Sequence, residues 1–264
     1  MAKAGAGAAR GSVWLDAKDR HDRHDRQERQ DRRGGRGGQP SGLDRERITA
    51  VSVRLLDADG LEKFSMRRLA GELNVTAMSL YWYVDTKDDL LELALDAAFG
   101  ELPLPDLEDP DAGWRDQLRG LAAEYRALLV RHSWLSPLAG RFLNIGPNSL
   151  AFSRVVQRVV RRTGLPAHGV TGAISAVFQF VYGYGTIEGH FFARIADTGL
   201  SADEYFQQAM SLVSEALGSA EVYRESRDIM AARGGDTVAE MMDRDFVFAL
   251  DLLIAGIEAM VARG

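Results

Sequence analysis

The chain contains no cysteine. That excludes a disulfide framework, a thiolate nucleophile and any cysteine-ligated zinc site. Histidine is scarce too, five in 264 residues, and two of these, His21 and His24, lie close to the N-terminus. A histidine-rich metal site is not expected, nor is any other cofactor. Long apolar runs are missing. The best stretches, 173–182 and 246–261, are too short for a bilayer or are interrupted by Gln179, Asp251 and Glu258. The N-terminus lacks the apolar core of an export signal, so the expectation is a cytoplasmic protein with no membrane partner. Strand-like alternation is absent throughout, which makes the expected fold class all-α. The usual catalytic signatures are also wanting: no Gly-rich phosphate loop, no G-x-S-x-G and no H-E-x-x-H. Glu188 and His190 stand two apart, on different faces of a helix, and cannot form a local acid–base pair. An enzyme is not expected. There is no excess of positive charge, the net value being −6, so any nucleic-acid contact must rest on a few placed groups and on hydrogen bonds.

What remains is a chain long enough for one or two domains with a sizeable core, 46% hydrophobic. Residues 1–42 are of low complexity. From Asp19 to Arg33 the chain repeats an acid, an arginine and a polar or basic residue, and Gly34-Gly35-Arg36-Gly37-Gly38 follows. Almost nothing in this stretch can be buried, so a disordered tail is expected. Residues 1–40 hold ten Lys or Arg against six Asp or Glu. The tail is therefore either plain solvated chain or a basic arm on DNA. A first helix over 44–59 turns Ile48, Val51 and Leu55 inward and ends at Asp59-Gly60. Three prolines in residues 103–110 mark 102–112 as a linker. It separates a domain at 43–101 from one at 113–264.

Residues 65–84 are the most informative stretch. Met66, Leu69, Ala70 and Leu73 fall at i, i+3, i+4 and i+7 on one face of a helix, and Ser65 stands at its N-cap. Asn74 suits the left-handed turn that follows. Thr76 caps a second helix that carries Ala77, Met78, Ser79, Leu80, Tyr81, Trp82 and Tyr83. This layout is a helix-turn-helix, whose second helix can enter the DNA major groove, or else an ordinary helical hairpin in a core. Three consecutive aromatics cannot all face one core, which favours the first reading. Thr86, with Asp89 three residues on, is close to a capping box for a fourth helix running to about Phe99.

These residues together resemble the tetracycline-repressor (TetR) family, from about Leu43 to Phe99. The resemblance is carried by the first helix ending in Gly60, by Phe64-Ser65-Met66-Arg67-Arg68-Leu69-Ala70, by Asn74-Val75, by Leu80-Tyr81-Trp82-Tyr83-Val84 and by Thr86-Lys87-Asp88-Asp89-Leu90-Leu91. Asn74 stands where the family often has Gly. The resemblance implies a DNA-binding head followed by a C-terminal helical domain for ligand binding and dimerisation. The implied function is a sequence-specific transcriptional regulator, a repressor released from a palindromic operator by a small-molecule effector. It also implies phosphate contacts by Ser65, Tyr81, Tyr83 and Lys87. Position alone places Thr76, Ala77, Met78, Ser79, Tyr81 and Trp82 for groove contact. Ala77 and Met78 suit thymine methyls, and Ser79 a base edge or a phosphate. Arg67 and Arg68 are either phosphate contacts or solvated surface. Leu80 and Val84 are core.

The remainder reads as helices: 113–131, a short piece at 137–143, 147–162, 167–196, a capped helix from Ser201 to Leu217, a weaker one at 219–232, and a last one at about 243–262. The helix at 167–196 carries Gly172, Gly183, Gly185 and Gly189. Each glycine costs a helix about 1 kcal/mol against alanine, so close helix packing or room for a ligand must offset them. The family resemblance assigns the homodimer interface to helices 167–196 and 243–262. Pocket candidates are Trp134, Phe142, Asn144, Phe178, Tyr182 and His190, an aromatic set with few polar groups. Each of them is equally well plain core. A ligand-independent regulator or activator of the same fold, and a helical adaptor that binds only protein, are the competing readings.

Overall fold

The computed structural model describes residues 12–15, 43–107, 109, 112–217 and 221–263. These residues form helices and connecting turns with no strand among them, in two compact units.

The first unit comprises the chain up to Leu102 together with Trp134–Arg154. Helix α1, Arg45–Lys63, is capped by Asp44, which accepts from the Arg47 N–H at 2.7 Å. It breaks at Gly60, where φ is 75°, so the expected end at Asp59-Gly60 is a break within one element. Ile48, Val51, Leu55 and Leu56 form its buried face. Helix α2, Met66–Glu72, starts at Ser65, and α3, Ala77–Leu80, at Thr76. Asn74 takes the left-handed conformation with φ 54°, and the Val75 N–H closes the turn on the Ala70 carbonyl at 2.9 Å. Helix α4, Lys87–Phe99, opens with the complete Thr86/Asp89 capping box. It packs on α1 and is buried along most of its length. Helix α6, Leu135–Ala139, and the start of α7, Pro147–Arg161, complete this unit.

Residues 134–154, inside the stretch 113–264 expected as one domain, group with the first unit. Side-chain contacts join residues 134–154 to the rest of the first unit. The Trp134 indole N–H donates to Asp57 at 2.6 Å. Arg141 donates to Asp88 at 2.8 Å. Asp96, 4% exposed, caps the start of α7 by accepting from the Ser149 N–H and hydroxyl at 2.9 and 3.0 Å. A Cβ at Gly146 would overlap the Asp96 carboxylate, so glycine is required there for the cap to form.

A second departure concerns the N-terminal tail. Ser12 and Val13 are buried, so these residues are packed and not solvated chain. The rest of 1–42 lies outside the described residues, apart from Trp14 and Leu15.

The second unit comprises Pro103–Ser133 and the chain from Val155 onward. It contains α5, Trp114–Arg131, the end of α7, α8, Ala167–Ala196, α9, Ala202–Leu217, α10, Glu221–Arg233, and α11, Val238–Val261. Ser201 and Glu204 exchange the reciprocal bonds of a capping box at α9. Helix α11 starts earlier than expected, where Thr237 accepts from the Glu240 N–H. Its buried stripe runs through Phe246, Leu250, Ile254 and Ile257.

Two of the four α8 glycines are explained within the unit. A Cβ at Gly189 would lie 2.9 Å from the Leu129 carbonyl oxygen, and one at Gly185 would lie 3.0 Å from the Leu129 Cβ. Both let α8 approach α5 closely. Gly172 and Gly183 face open space.

Candidate DNA interface and effector site

In the first unit the short α3 ends at Leu80, earlier than the sequence suggests. Tyr81 and Tyr83 donate their N–H groups three residues back, to Met78 and Leu80, so the aromatic triplet sits in tight turns. Leu80 and Val84, fully buried, anchor it from below. Met78 is 72% exposed, Tyr81 46% and Trp82 55%. Helix α3 and the turn after it therefore hold three large side chains in solvent above a buried base. Ser79 is half-buried, and its hydroxyl lies 2.9 Å from that of Thr76. Thr76 and Ser65 both use their oxygens to cap helix starts, at 3.2 and 3.3 Å. Accepting that bond leaves the Ser65 hydroxyl hydrogen able to reach a phosphate, whereas the Thr76 hydroxyl is shared with Ser79. Arg67 is exposed, and Arg68 pairs with Asp59 at 2.6 Å.

Two expected phosphate donors are engaged inside the fold. The Tyr83 hydroxyl donates to the Leu43 carbonyl at 2.7 Å, while Arg45 donates to the Tyr83 carbonyl at 3.1 Å. Lys87 donates to the Phe64 carbonyl at 2.6 Å and lies 5.5 Å from the Phe64 ring centroid. The ammonium keeps further N–H groups free of that bond. It closes the loop between α1 and α2, a role that no local pattern announces.

The six pocket candidates divide between the units. Trp134, Phe142 and Asn144 belong to the first. There Trp134 is 3% exposed, and Asn144, at φ 52°, donates to the Ala139 and Phe142 carbonyls. Phe178, Tyr182 and His190 are on α8 in the second unit, and His190 is exposed. Phe178 and Tyr182, one turn apart, are half-buried. The Phe178 ring is 6.1 Å from that of Tyr125 on α5. Burial, and then the neighbouring Tyr182, push the Tyr125 phenol well above the ordinary tyrosine range. One turn beyond Tyr182, the Thr186 hydroxyl oxygen is buried without a hydrogen-bond partner among the described residues. Tyr125 and Thr186, which the pocket candidates did not include, lie beside Phe178 and one turn beyond Tyr182. The i, i+4, i+8 spacing of 178, 182 and 186 was the available signal.

Glu188 is buried and receives two hydrogen bonds from Arg126, at 2.6 and 2.8 Å. Arg126 also bonds Asp243 at 3.0 Å and lies over the Tyr184 and Phe246 rings. Burial opposes the Arg126 charge. The hydrogen bonds and field of Glu188, with Asp243, outweigh it and hold the guanidinium above its ordinary value. This ion pair joins α5 to α8 and α11 and is structural.

A helix-turn-helix with exposed apolar residues at its tip, followed in the chain by a helical unit containing an aromatic cluster, defines the class of DNA-binding transcriptional regulators. Residues 48–94 match the family "Bacterial regulatory proteins, tetR family", and residues 104–261 match "Tetracyclin repressor-like, C-terminal domain". The chain belongs to the TetR family, whose members are transcriptional regulators and not enzymes. It is 32% identical to the HTH-type transcriptional repressor DrrR1 of Streptomyces coeruleorubidus over 84% of this chain and 79% of that one. An HTH-type transcriptional regulator of Saccharopolyspora erythraea is 43% identical over 53% of this chain and 59% of its own length. Among solved structures, the TetR family protein ActR of Streptomyces coelicolor in complex with (S)-DNPA superposes with a TM-score of 0.61 at 25% identity, covering 83% of this chain and 98% of that one. No helix among the described residues is long and apolar enough to cross a membrane.

Proposed function

We propose that the protein is a repressor that binds a palindromic duplex as a homodimer, in the cytoplasm where its DNA lies, and leaves it when a small aromatic effector binds the second unit. The observation that carries the DNA-binding part is the exposure of Met78, Tyr81 and Trp82 at the tip of a capped helix-turn-helix. Apolar and aromatic side chains held in solvent above a buried base suit contact with thymine methyls, sugars and phosphates. No Arg, Asn or Gln stands on α3 to read one base bidentately. Sequence preference therefore draws partly on duplex shape.

Homodimerisation is supported by the faces that α8 and α11 leave uncovered. Ile187, Phe248 and Leu252 are 72%, 68% and 60% exposed. On the same helices, a methyl group added at Gly183 or Gly256 would meet nothing within 4 Å. Small residues beside large exposed apolar ones suit close helix packing across a two-fold axis. The effector role rests on Tyr125, Phe178, Tyr182 and Thr186. An aromatic cluster with one buried unpartnered hydroxyl suits a mostly apolar ligand with a single polar group. Effector binding shifts the population toward dimers of lower operator affinity.

Selection from a random duplex pool tests this reading. The expected result is one enriched palindrome whose half-sites lie one helical turn, about 34 Å, apart, bound by a dimer in sedimentation. Polycyclic aromatic compounds are then screened for release of that duplex. A well-folded protein that enriches no duplex overturns the DNA reading in favour of a protein-binding adaptor. A palindrome that no compound releases leaves a ligand-independent regulator or activator.

A further inference from the structure

Helix α4 carries a buried carboxylate that its own neighbourhood in the chain does not satisfy. Glu92 is 4% exposed. Among the described residues its two oxygens receive hydrogen bonds from the Ser12 hydroxyl and from the Val13 N–H, the latter at 2.8 Å, some eighty residues upstream. Ser12 and Val13 are 7% and 3% exposed. The segment folds back on itself: the Leu15 N–H donates to the Ser12 carbonyl at 2.9 Å, and the Trp14 N–H to the Ser12 hydroxyl oxygen at 3.3 Å. Leu15, the last residue of the segment described, is 62% exposed. Among the described residues the Trp14 indole nitrogen is buried without an acceptor, so the contribution of this ring is its apolar area.

We infer that the Glu92 face of α4 is a binding site for a short Ser-aliphatic-aromatic peptide, and that residues 12–15 fill it in cis as a strap on the DNA-reading unit. The chemistry is specific. A carboxylate with no cation paired to it among the described residues is met by a hydroxyl and the adjacent main-chain N–H, each on its own oxygen, and the Val13 side chain that follows is itself buried. A buried carboxylate left unpaired is strongly unfavourable, so strap and site stabilise one another. Residues 16–42 connect Leu15 to Leu43. Fully extended, they reach roughly 90 Å, more than enough for docking within one chain. Helix α4 also carries Lys87, which closes the loop between α1 and α2. Loss of the strap therefore loosens the helix on which the reading motif is built. The inference stands apart from the regulator reading, because the site and its occupant involve no DNA.

The test uses the full chain, a chain lacking residues 1–15, and a fluorescein-labelled peptide of residues 10–17. The truncated chain is expected to bind the peptide at one site, and the full chain to bind it at least tenfold more weakly because the site is occupied. Ser12→Ala or Trp14→Ala in the peptide weakens binding tenfold or more. Trp14→Phe does not, since the indole N–H has no acceptor among the described residues. If the truncated chain fails to fold, amide exchange in the full chain decides. Ser12→Ala and Trp14→Ala are expected to speed exchange in residues 88–96, whereas Trp14→Phe leaves it unchanged. Equal peptide binding by both chains, no peptide binding by the folded truncated chain, or exchange in 88–96 that ignores Ser12 and Trp14 overturns the proposal. Protection of 88–96 that rises with protein concentration overturns the assignment in cis and places the occupant on a second copy.

Discussion

Tyr81 and Tyr83 are two residues apart and have different surroundings. Tyr81 is exposed, whereas the Tyr83 hydroxyl is committed to the Leu43 carbonyl. Tyr83→Phe is expected to lower stability by about 1 kcal/mol, the ordinary worth of such a bond, with operator affinity unchanged while the protein is folded. Tyr81→Phe is expected to do the reverse: several-fold weaker operator binding in fluorescence anisotropy with an unaltered melting temperature. The Arg126–Glu188 pair makes a second prediction at this scale. Arg126→Met leaves Glu188 buried and unpaired, at a cost of roughly 3–5 kcal/mol. Arg126→Met with Glu188→Met is expected to recover most of that loss, because two apolar residues replace the pair without an orphaned charge. Denaturant melts of the two variants measure the difference.

At the scale of elements, what is legible in the sequence is what a few neighbouring residues determine. Caps are such features. Ser65, Thr76, Thr86 with Asp89, and Ser201 with Glu204 all start the helices their spacing predicts, because a cap joins a side chain to an N–H two or three residues on. Asn74 takes its left-handed turn for the same local reason. The inward turn of Lys87, the Asp96 cap on α7 and the Ser12–Glu92 contact are not legible, since each joins residues that only the finished fold brings together. The candidate site is readable in part. The exposed tip of the motif follows from the aromatic triplet, which no single face can bury. The grouping of Trp134, Phe142 and Asn144 with the first unit depends on long-range contacts. The α8 glycines show the same division, since spacing reveals that they need a cause but not which cause belongs to which. Gly189→Ala is expected to destabilise the second unit by a few kcal/mol, because the methyl meets the Leu129 main chain, which cannot rotate aside. Gly183→Ala is expected to raise the stability of the isolated chain by up to about 1 kcal/mol and to weaken the proposed dimer. Thermal melts and sedimentation read the two effects separately.

For the molecule as a whole, alkaline pH is the informative variable. Tyr125 is buried, and its phenol is held above the ordinary value of 10.0 by burial and by Tyr182. Tyr184 is shifted in the same direction, chiefly by burial. Above pH 10 the unfolded chain releases these protons while the native chain keeps them. The unfolded state then binds fewer protons, and stability falls as pH rises. The contribution is fully present below pH 10 and is lost progressively above it. Melting temperatures measured from pH 9 to pH 11.5 are expected to decline, and Tyr125→Phe to flatten the decline.

The first unit is also assembled from two separated stretches of chain, with residues 103–133 set between them. A fragment ending at Leu102 would keep every residue of the reading motif and yet lack the groups that bond the Asp96 carboxylate. It is expected to melt below the full chain and to be trimmed faster by protease. Order of synthesis adds a further consequence. The ribosome releases the whole reading motif before the residues that complete its unit exist, so that unit cannot close until about fifty more residues have emerged. The growing chain passes through an interval in which the reading motif has been made but is not yet locked in place.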